Sequence, residues 1–331
     1  MTTLKDVARL ANVSASTVSR VLNHNPAIST ATQKKVLRAM QKLRYVPNSN
    51  ARNLALQHTM TLGVILPATQ AMVFSNPFFV ALIQGINHIC SQNNYLTAVA
   101  TGDDIQELQQ TITMMAQQNK IRQFILLYSQ KNDPILQILQ QLGLRYVILG
   151  KPFENSQAMP YVDNDNILAG TDVTTYLLKQ GHRAIGFLYS DLSQMVQADR
   201  LLGYQRAMQQ SGLPQHAFQI NDDYEQLQTQ LRHIMALKPE ITALITTDDM
   251  QALAVQQALV PLDLKRHISQ ISFNNSIFAR VARPMLTSVE VFPVKLGEEV
   301  ARLAIQDHAE TFVSNLIIPH RIIERSSVWT Q

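Results

Sequence analysis

Apolar residues recur along the chain with two different periods, and the period changes near residue 60. From Leu4 to Leu22 they fall three and four apart, at Leu4, Val7, Ala8 and Ala11 and again at Val18, Val21 and Leu22. That spacing predicts two short amphipathic helices. Thr3-Leu4-Lys5-Asp6 has the Thr-x-x-acid form of an N-terminal cap. Asn12-Val13 makes the turn, and Ser14 caps the second helix through its hydroxyl. Thr30-Ala31-Thr32-Gln33 has the form of a capping box that opens a third helix, with Val36, Met40 and Leu43 facing inward and Tyr45-Val46-Pro47 stopping it. The stretch from Asn48 to Leu56 has helical potential but is short and polar, and alone in water it would be marginal. It reads either as a plain linker or as one that becomes helical when held against something.

From Thr61 short apolar runs alternate with amphipathic helices. Strands are predicted at 62–66, 96–100, 124–128, 146–149, 184–189, near Phe218, at 243–246 and at 268–273. Helices are predicted at 77–90, 106–118, 134–142, 167–180, 199–211, 224–237 and 250–259. Such alternation gives parallel sheets covered on both faces. Two cycles of it predict two lobes, with the crossover near 161–166, a return to the first lobe over 287–303 and a tail in the second. Ligands bind outside the C-terminal strand ends in open α/β sheets, so two facing lobes share a cleft that a small molecule closes. The fold class expected is therefore α/β: an N-terminal three-helix helix-turn-helix unit, then a two-lobed sensor with parallel sheets.

Charge sharpens the division. Net charge is +4 over 331 residues, yet residues 1–58 carry nine Lys or Arg and one acid, Asp6, leaving the remainder at −4. A basic head on an acidic body implies a polyanion partner for the head alone. The first turn of the second helix, Ala15, Ser16 and Thr17, is small and polar, with Arg20 one turn on. That surface suits the DNA major groove, although a helical hairpin with a solvated face has the same pattern. Cys90, the single cysteine, sits in an apolar helical pattern as a core residue. With no disulfide within the chain, no signal-peptide pattern and no apolar run approaching about 18–20 residues, the expectation is a cytoplasmic protein without membrane contact. Adjacent acids (Asp163/Asp165, Asp248/Asp249) lack a nucleophile, a phosphate loop or metal spacing beside them. No catalytic residue, metal or cofactor is expected.

The basic helix-turn-helix, the short potential helix and the two-lobed body stand in an order that resembles the lactose-repressor family of bacterial transcription regulators. The motifs that carry the resemblance are Leu4-Lys5-Asp6-Val7-Ala8, Val13-Ser14, Ser16 through Asn23 and Tyr45-Val46-Pro47-Asn48. Gly181 through Phe187, Arg200 through Tyr204, and Pro284 with Leu286-Thr287-Ser288-Val289 extend it over nearly the whole chain. Asn76-Pro77-Phe78-Phe79, Ile148-Leu149-Gly150-Lys151 and Val162-Asp163-Asn164-Asp165-Asn166 are most similar to the maltose-operon regulators of Gram-positive bacteria. The resemblance implies a DNA-binding domain at 1–46, a hinge at 47–59 and a periplasmic-binding-protein-like sensor at 60–331. Its first lobe would comprise 60–161 and 291–319, its second 162–290 and 320–331.

The same resemblance implies roles for residues. Ala15, Ser16 and Arg20 fall where the family reads base edges. Ser14, Thr17, Ser19, Asn23, Tyr45 and Asn48 resemble phosphate or sugar contacts. Ala51 lies in the hinge, and Leu54 matches the wedge that enters the minor groove and kinks the duplex. Arg200 matches the effector-contacting arginine, at the start of a second-lobe helix. Asp248 and Asn274 follow second-lobe strands, Lys151 ends a first-lobe strand, and Phe78 and Phe292 offer rings to a sugar face. Other readings stand beside these: Leu54 as packed against the body, Arg200 as a surface ion pair with Asp199 or Asp248, and Phe78 as core. One departure is that Asn274 stands where many relatives have Asp, and Asp248 where they often have Asn. The two groups have exchanged sides of the cleft, or the ligand differs or binds weakly. The implied partners are double-stranded operator DNA, a maltose-like sugar effector and a second copy in a homodimer, with no tetramerising heptads at the end of the chain. The alternatives are a global carbon-catabolite regulator with a phosphorylated carrier protein as corepressor, and a sugar-binding transport protein.

Overall fold

The computed structural model describes residues 2–22, 25, 27–45, 59–68, 76–153, 159–262, 264, 266–306 and 315–331. The chain divides into two compact units, 1–59 and 60–331.

The first unit contains α1 (Leu4–Ala11), α2 (Ala15–Leu22) and α3 (Thr30–Leu43). The predicted cap forms: Thr3 Oγ1 accepts from the Asp6 N–H, and the Asp6 carboxylate accepts from the Thr3 N–H at 2.9 Å. Asn12 takes the left-handed conformation (φ 54°), which an asparagine adopts at low cost and which turns the chain toward α2. The cap of α3 is Ser29, one residue before the Thr30 box, and its hydroxyl accepts from the Thr32 N–H at 3.3 Å. Val7, Ala8, Ala11, Val18, Val21, Val36 and Ala39 form a small buried core.

In the second unit β1 (Thr61–Ile65), α4 (Pro77–Gln92), β2 (Leu96–Ala100), α5 (Ile105–Gln117), β3 (Gln123–Leu126), α6 (Pro134–Gln141), β4 (Arg145–Leu149) and β5 (Tyr161–Asn164) build the first lobe. Next come α7 (Asn166–Lys179), β6 (Ile185–Tyr189), α8 (Met195–Gln210), β7 (His216–Gln219), α9 (Tyr224–Leu237), β8 (Ala243–Thr246), α10 (Asp249–Leu259), β9 (Ser269–Phe273), α11 (Ile277–Val281) and β10 (Thr287–Glu290). Finally α12 (Pro293–Ile305) and β11 (Asn315–Ile318) rejoin the first lobe, and β12 (Arg321–Ile323) closes the second sheet. The sheets run β11-β5-β4-β3-β1-β2 and β12-β10-β9-β8-β6-β7, every pair parallel except β10 with β12. Because β5 belongs to the first sheet, that lobe extends to Asn164 rather than ending at 161. Cys90 is buried in the first lobe, as expected.

Parallel sheets must bury both faces, so the strand interiors are almost continuously apolar. In the first lobe Leu62, Val64, Ile125 and Val147 pack under α4 and α12, while Ile65, Phe124 and Leu126 pack under α5 and α6. In the second lobe α7 and α8 cross closely because both present glycine. A Cβ at Gly170 would lie 2.2 Å from the Arg200 carbonyl oxygen, and one at Gly203 would lie 2.1 Å from that of Ile167. This approach sets the Arg200 backbone against α7. Among the described residues, no helix is long and apolar enough to cross a membrane.

Candidate nucleic-acid interface and effector cleft

The start of α2 is a compact polar surface. Ser14 Oγ accepts from the Thr17 N–H at 3.0 Å, and it lies 2.7 Å from Ser16 Oγ and 2.8 Å from Thr17 Oγ1. Ser14, Ser16 and Arg20 are exposed, whereas Ala15, Thr17 and Ser19 are half-buried. Val18 and Val21 point into the core, so helical geometry turns Ser16 and Arg20 outward. Tyr45 is half-buried against the same core. Lys5, Arg9, Lys34, Lys35, Arg38, Lys42 and Arg44 are exposed as well. Only Arg9 of these pairs with the lone acid, Asp6, at 3.5 Å, and so exposed a pair neutralises little. Asn23, Asn48, Ala51 and Leu54 lie outside the described residues.

In the second unit the polar groups converge where the lobes meet. Arg200 stands in the second turn of α8, not at its start, because the helix begins at Met195. It is 5% exposed, which rules out a surface ion pair. Its Nε donates to Asn166 Oδ1 at 2.9 Å, one terminal nitrogen donates to the Thr247 carbonyl at 2.6 Å, and its guanidinium carbon lies 4.0 Å from the centroid of the Phe273 ring. Burial lowers its pKa to about 10, opposed by Asp163, Asp248 and Asp249, so it remains a cation at neutral pH.

Asp163 faces it from the end of β5. It accepts from the Lys151 and Asn164 N–H groups at 3.0 and 2.8 Å, and from Asn166 Nδ2 at 2.9 Å. Burial pushes its pKa up to about 7 against those hydrogen bonds and the pull of Arg200. The sign follows by linkage. Between its ordinary value of 3.8 and about 7 the folded chain holds a proton that the unfolded chain has released, so this contribution to stability falls as pH rises through that window. Asp163→Asn is expected to flatten the slope, which at its steepest is about 1.4 kcal/mol per pH unit. Urea midpoints at mildly acidic and mildly alkaline pH check this; an unchanged difference between them would show that Asp163 is ionised throughout.

The remaining predicted cleft residues are placed as follows. Lys151 contributes its main chain, with N–H to Asp163 and carbonyl to Ser129 Oγ at 2.7 Å, while its ammonium charge favours ionised Asp199. Asp248 is half-buried and caps α10 by accepting from the Gln251 N–H at 2.8 Å. Burial raises its pKa. Asn274 follows β9 at φ 95° and donates its N–H to the Val289 carbonyl at 2.8 Å. Phe78 packs against the cores of both lobes, so it is at once core and cleft wall. Phe292 packs on the first lobe at φ 54°, and its N–H donates to Glu290 Oε1 at 2.8 Å. Arg200, Asp248 and Lys151 thus share one charged network, whereas Asn274 and Phe292 make no hydrogen bond to it among the described residues.

Besides Asp163, three residues were not among the candidate cleft residues. Asn164, 5% exposed, donates to the Ile318 carbonyl at 2.8 Å and to the Val291 carbonyl at 3.2 Å. It therefore ties together the three segments by which the chain passes between lobes. Asn166 fixes Arg200 to Asp163. Asp249, 1% exposed, accepts from Ser272 Oγ at 2.5 Å, Ser288 Oγ at 2.6 Å and the Ser276 N–H at 2.6 Å, behind the cleft wall. The available signals were the Asp-Asn-Asp-Asn run at a crossover and the Asp248-Asp249 pair; nothing in spacing said which member would face inward.

A helix-turn-helix head on a two-lobed α/β body with a charged interlobe cleft defines a ligand-responsive DNA-binding regulator. Residues 3–48 match the bacterial regulatory proteins of the lacI family, and residues 174–328 match the periplasmic binding protein-like domain. The chain is 32% identical over 327 residues to the HTH-type transcriptional regulator MalR of Streptococcus pneumoniae, covering 98% of this chain and 99% of that protein. It is 32% identical over 334 residues to MalR of Staphylococcus xylosus, covering 100% and 99%. A solved complex of the transcriptional regulator CelR with cellobiose superposes with a TM-score of 0.74 at 27% identity, over 99% of this chain and all of that one. The chain belongs to the lacI family of bacterial regulatory proteins. It is a DNA-binding transcriptional regulator and not an enzyme. That sets the transport-protein alternative aside.

Proposed function

We propose that the protein represses an operon for maltose or a related α-glucoside, acting as a homodimer that the sugar releases from DNA. The observation that carries the reading is the buried Arg200–Asn166–Asp163 network at the junction of the lobes, in a chain similar over its whole length to MalR regulators and over 83% of it to a probable maltose operon transcriptional repressor. A guanidinium and carboxylates beside aromatic rings match vicinal hydroxyls on a sugar with an apolar face. In this reading Arg200, Asp248, Lys151 and Asn274 bond the hydroxyls, and Phe78 and Phe292 cover the ring. Ala15, Ser16 and Arg20 read bases, Ser14, Thr17, Ser19, Asn23, Tyr45 and Asn48 position the phosphates, and Ala51 and Leu54 serve the minor groove. The sugar acts through a difference in affinity between two lobe arrangements, and operator binding must weaken sugar binding by the same factor.

The test is fluorescence anisotropy with a palindromic operator carrying a central CG step, with and without maltose. Weaker binding with maltose supports the reading. Binding that maltose leaves unchanged moves the effector to another sugar or to a protein corepressor. Arg20→Ala is expected to cost about 1–3 kcal/mol of discrimination at one base pair, measured as the affinity ratio between operator and a single-base variant. An unchanged ratio would remove Arg20 from base reading.

A further inference from the structure

Asn274 and Phe292, the two predicted cleft residues outside the Arg200 network, are joined by a network of their own. At its centre is Glu290, the half-buried last residue of β10. Its Oε1 accepts from the Phe292 N–H at 2.8 Å, and its Oε2 accepts from Asn275 Nδ2 at 2.8 Å. Asn275 Oδ1 accepts in turn from a terminal nitrogen of Arg325 at 2.5 Å. The orientation of the Asn275 amide is forced, since a guanidinium only donates and a carboxylate only accepts. Arg325 therefore donates to Asn275, Asn275 donates to Glu290, and Glu290 gathers the Phe292 N–H as well.

Both ends of this relay are held in unusual backbone. Asn274 and Asn275 take φ 95° and 47°. Their turn is pinned by the Asn274 N–H, which donates to the Val289 carbonyl at 2.8 Å, and by the Asn275 N–H, which donates to Ser288 Oγ at 3.0 Å. Ser288 Oγ itself donates to the buried Asp249 at 2.6 Å. At the other end Phe292 takes φ 54°, uncommon for an aromatic residue, immediately before α12 of the first lobe. The Val291–Phe292 peptide group is gripped on both sides: Glu290 holds its N–H, and Asn164 Nδ2 holds its carbonyl at 3.2 Å. A peptide group is planar, so two grips fix its orientation. Left-handed backbone at a bulky residue persists only where the surroundings over-determine it, and such positions gather where function uses them.

We propose that Glu290 is a positioning residue that couples the effector cleft to the first lobe, by transmitting displacement of the Asn274–Asn275 turn to Phe292 and the start of α12. The inference rests on the reading of Asn274 and Phe292 as sugar contacts. A ligand that draws the turn moves Asn275 Nδ2, the Glu290 carboxylate follows it, and the Phe292 backbone is re-aimed with the carboxylate. Glu290 acts through Phe292 and not through contact with the sugar.

The experiment reverses the polarity of the Asn275–Glu290 bond. In Glu290→Gln the introduced amide accepts from the Phe292 N–H and turns its NH2 toward Asn275 Nδ2, so two donors meet. If the Asn275 amide flips, the same conflict moves to Arg325. In Asn275→Asp two carboxylates meet, and aspartate tolerates the positive φ at that position. In the double variant Asn275→Asp/Glu290→Gln the carboxylate at 275 accepts from Arg325 and from the amide at 290, whose oxygen accepts from the Phe292 N–H. Every bond of the relay is restored and the net charge is that of the parent protein.

Hydrogen exchange of the full chain without ligand, read by mass spectrometry over 274–276 and 290–296, is expected to quicken ~10-fold at Phe292 in Asn275→Asp and across the turn in Glu290→Gln, and to return to the parent rate in the double variant. Maltose affinity, measured by calorimetry, is expected to fall and return in the same pattern. A Phe292 amide that Asn275→Asp leaves at the parent rate, or a double variant no closer to the parent than Glu290→Gln, overturns the proposal. So does an affinity that no substitution changes in a parent protein that binds maltose. Should Asn275→Asp not fold, Glu290→Gln against the double variant decides the same point, since both carry the amide at 290. A parent protein that does not bind maltose would remove the sugar reading, while the exchange pattern, read without ligand, still decides the coupling.

Discussion

Replacing Arg200 with alanine is expected to destabilise the second unit by about 3–5 kcal/mol and to abolish the response of operator binding to sugar. The magnitude is that of removing one member of a buried charged network, which leaves the other charges without compensation. Asp163, Asp248 and Asp249 all feel the Arg200 charge, and each is already raised by burial. Without the guanidinium they are expected to hold protons to higher pH, so the loss of stability grows from mildly acidic to alkaline conditions. Urea unfolding at two pH values measures this, and anisotropy with and without maltose measures the response. Arg200→Lys keeps the charge but not the planar fork that reaches Asn166 and Thr247 together, so it restores part of the stability and little of the response. Parental stability in Arg200→Ala would mean that the cleft is wet enough to solvate its acids.

Asn164→Ala is expected to cost about 2–5 kcal/mol, because two buried carbonyl oxygens on separate interlobe segments lose the same donor. The change is not confined to stability. With the segments untied, hydrogen exchange is expected to rise together at the amides near 165, 292 and 319, and the sugar response to flatten as lobe motion loses its common pivot. Faster exchange at the 164–166 segment alone would show that the crossovers move independently and that Asn164 is only a local brace. Asn164→Asp is a sharper control: its side chain has no N–H to donate, so it is expected to be no better than alanine.

Much of the organisation was legible because it rests on short-range patterning. The Thr3 box, the Asn12 turn and the Ser14 cap are made by residues within four positions of one another, and a single misplacement arose from two adjacent hydroxyls, Ser29 and Thr30, either of which suits a cap. The two α/β cycles were legible because a doubly covered parallel strand must be apolar throughout. The boundary near Asn164 was not, since Val162-Asp163-Asn164 has the polarity of a loop and becomes a strand only through its pairing with β11 and β4.

The cleft divides the same way. The amino-acid sequence by itself determined that a basic three-helix head precedes a two-lobed body, that Ser16 and Arg20 face outward, and that Asp248 and Asn274 follow second-lobe strands. These follow from periodicity, local capping and charge, which the chain carries without reference to distant residues. Only the tertiary structure decided that Arg200 is buried and bonded to Asn166 rather than paired at the surface, that Asp249 turns inward while Asp248 caps a helix, and that Asn164 joins three crossovers. Each depends on contacts made across 23 to 154 positions of chain, and the close glycine crossing of α7 and α8 sets the Arg200 backbone against Gly170. Which of two neighbouring polar residues finds a partner is settled by packing, because the cost of an unpaired buried group exists only once water has been excluded.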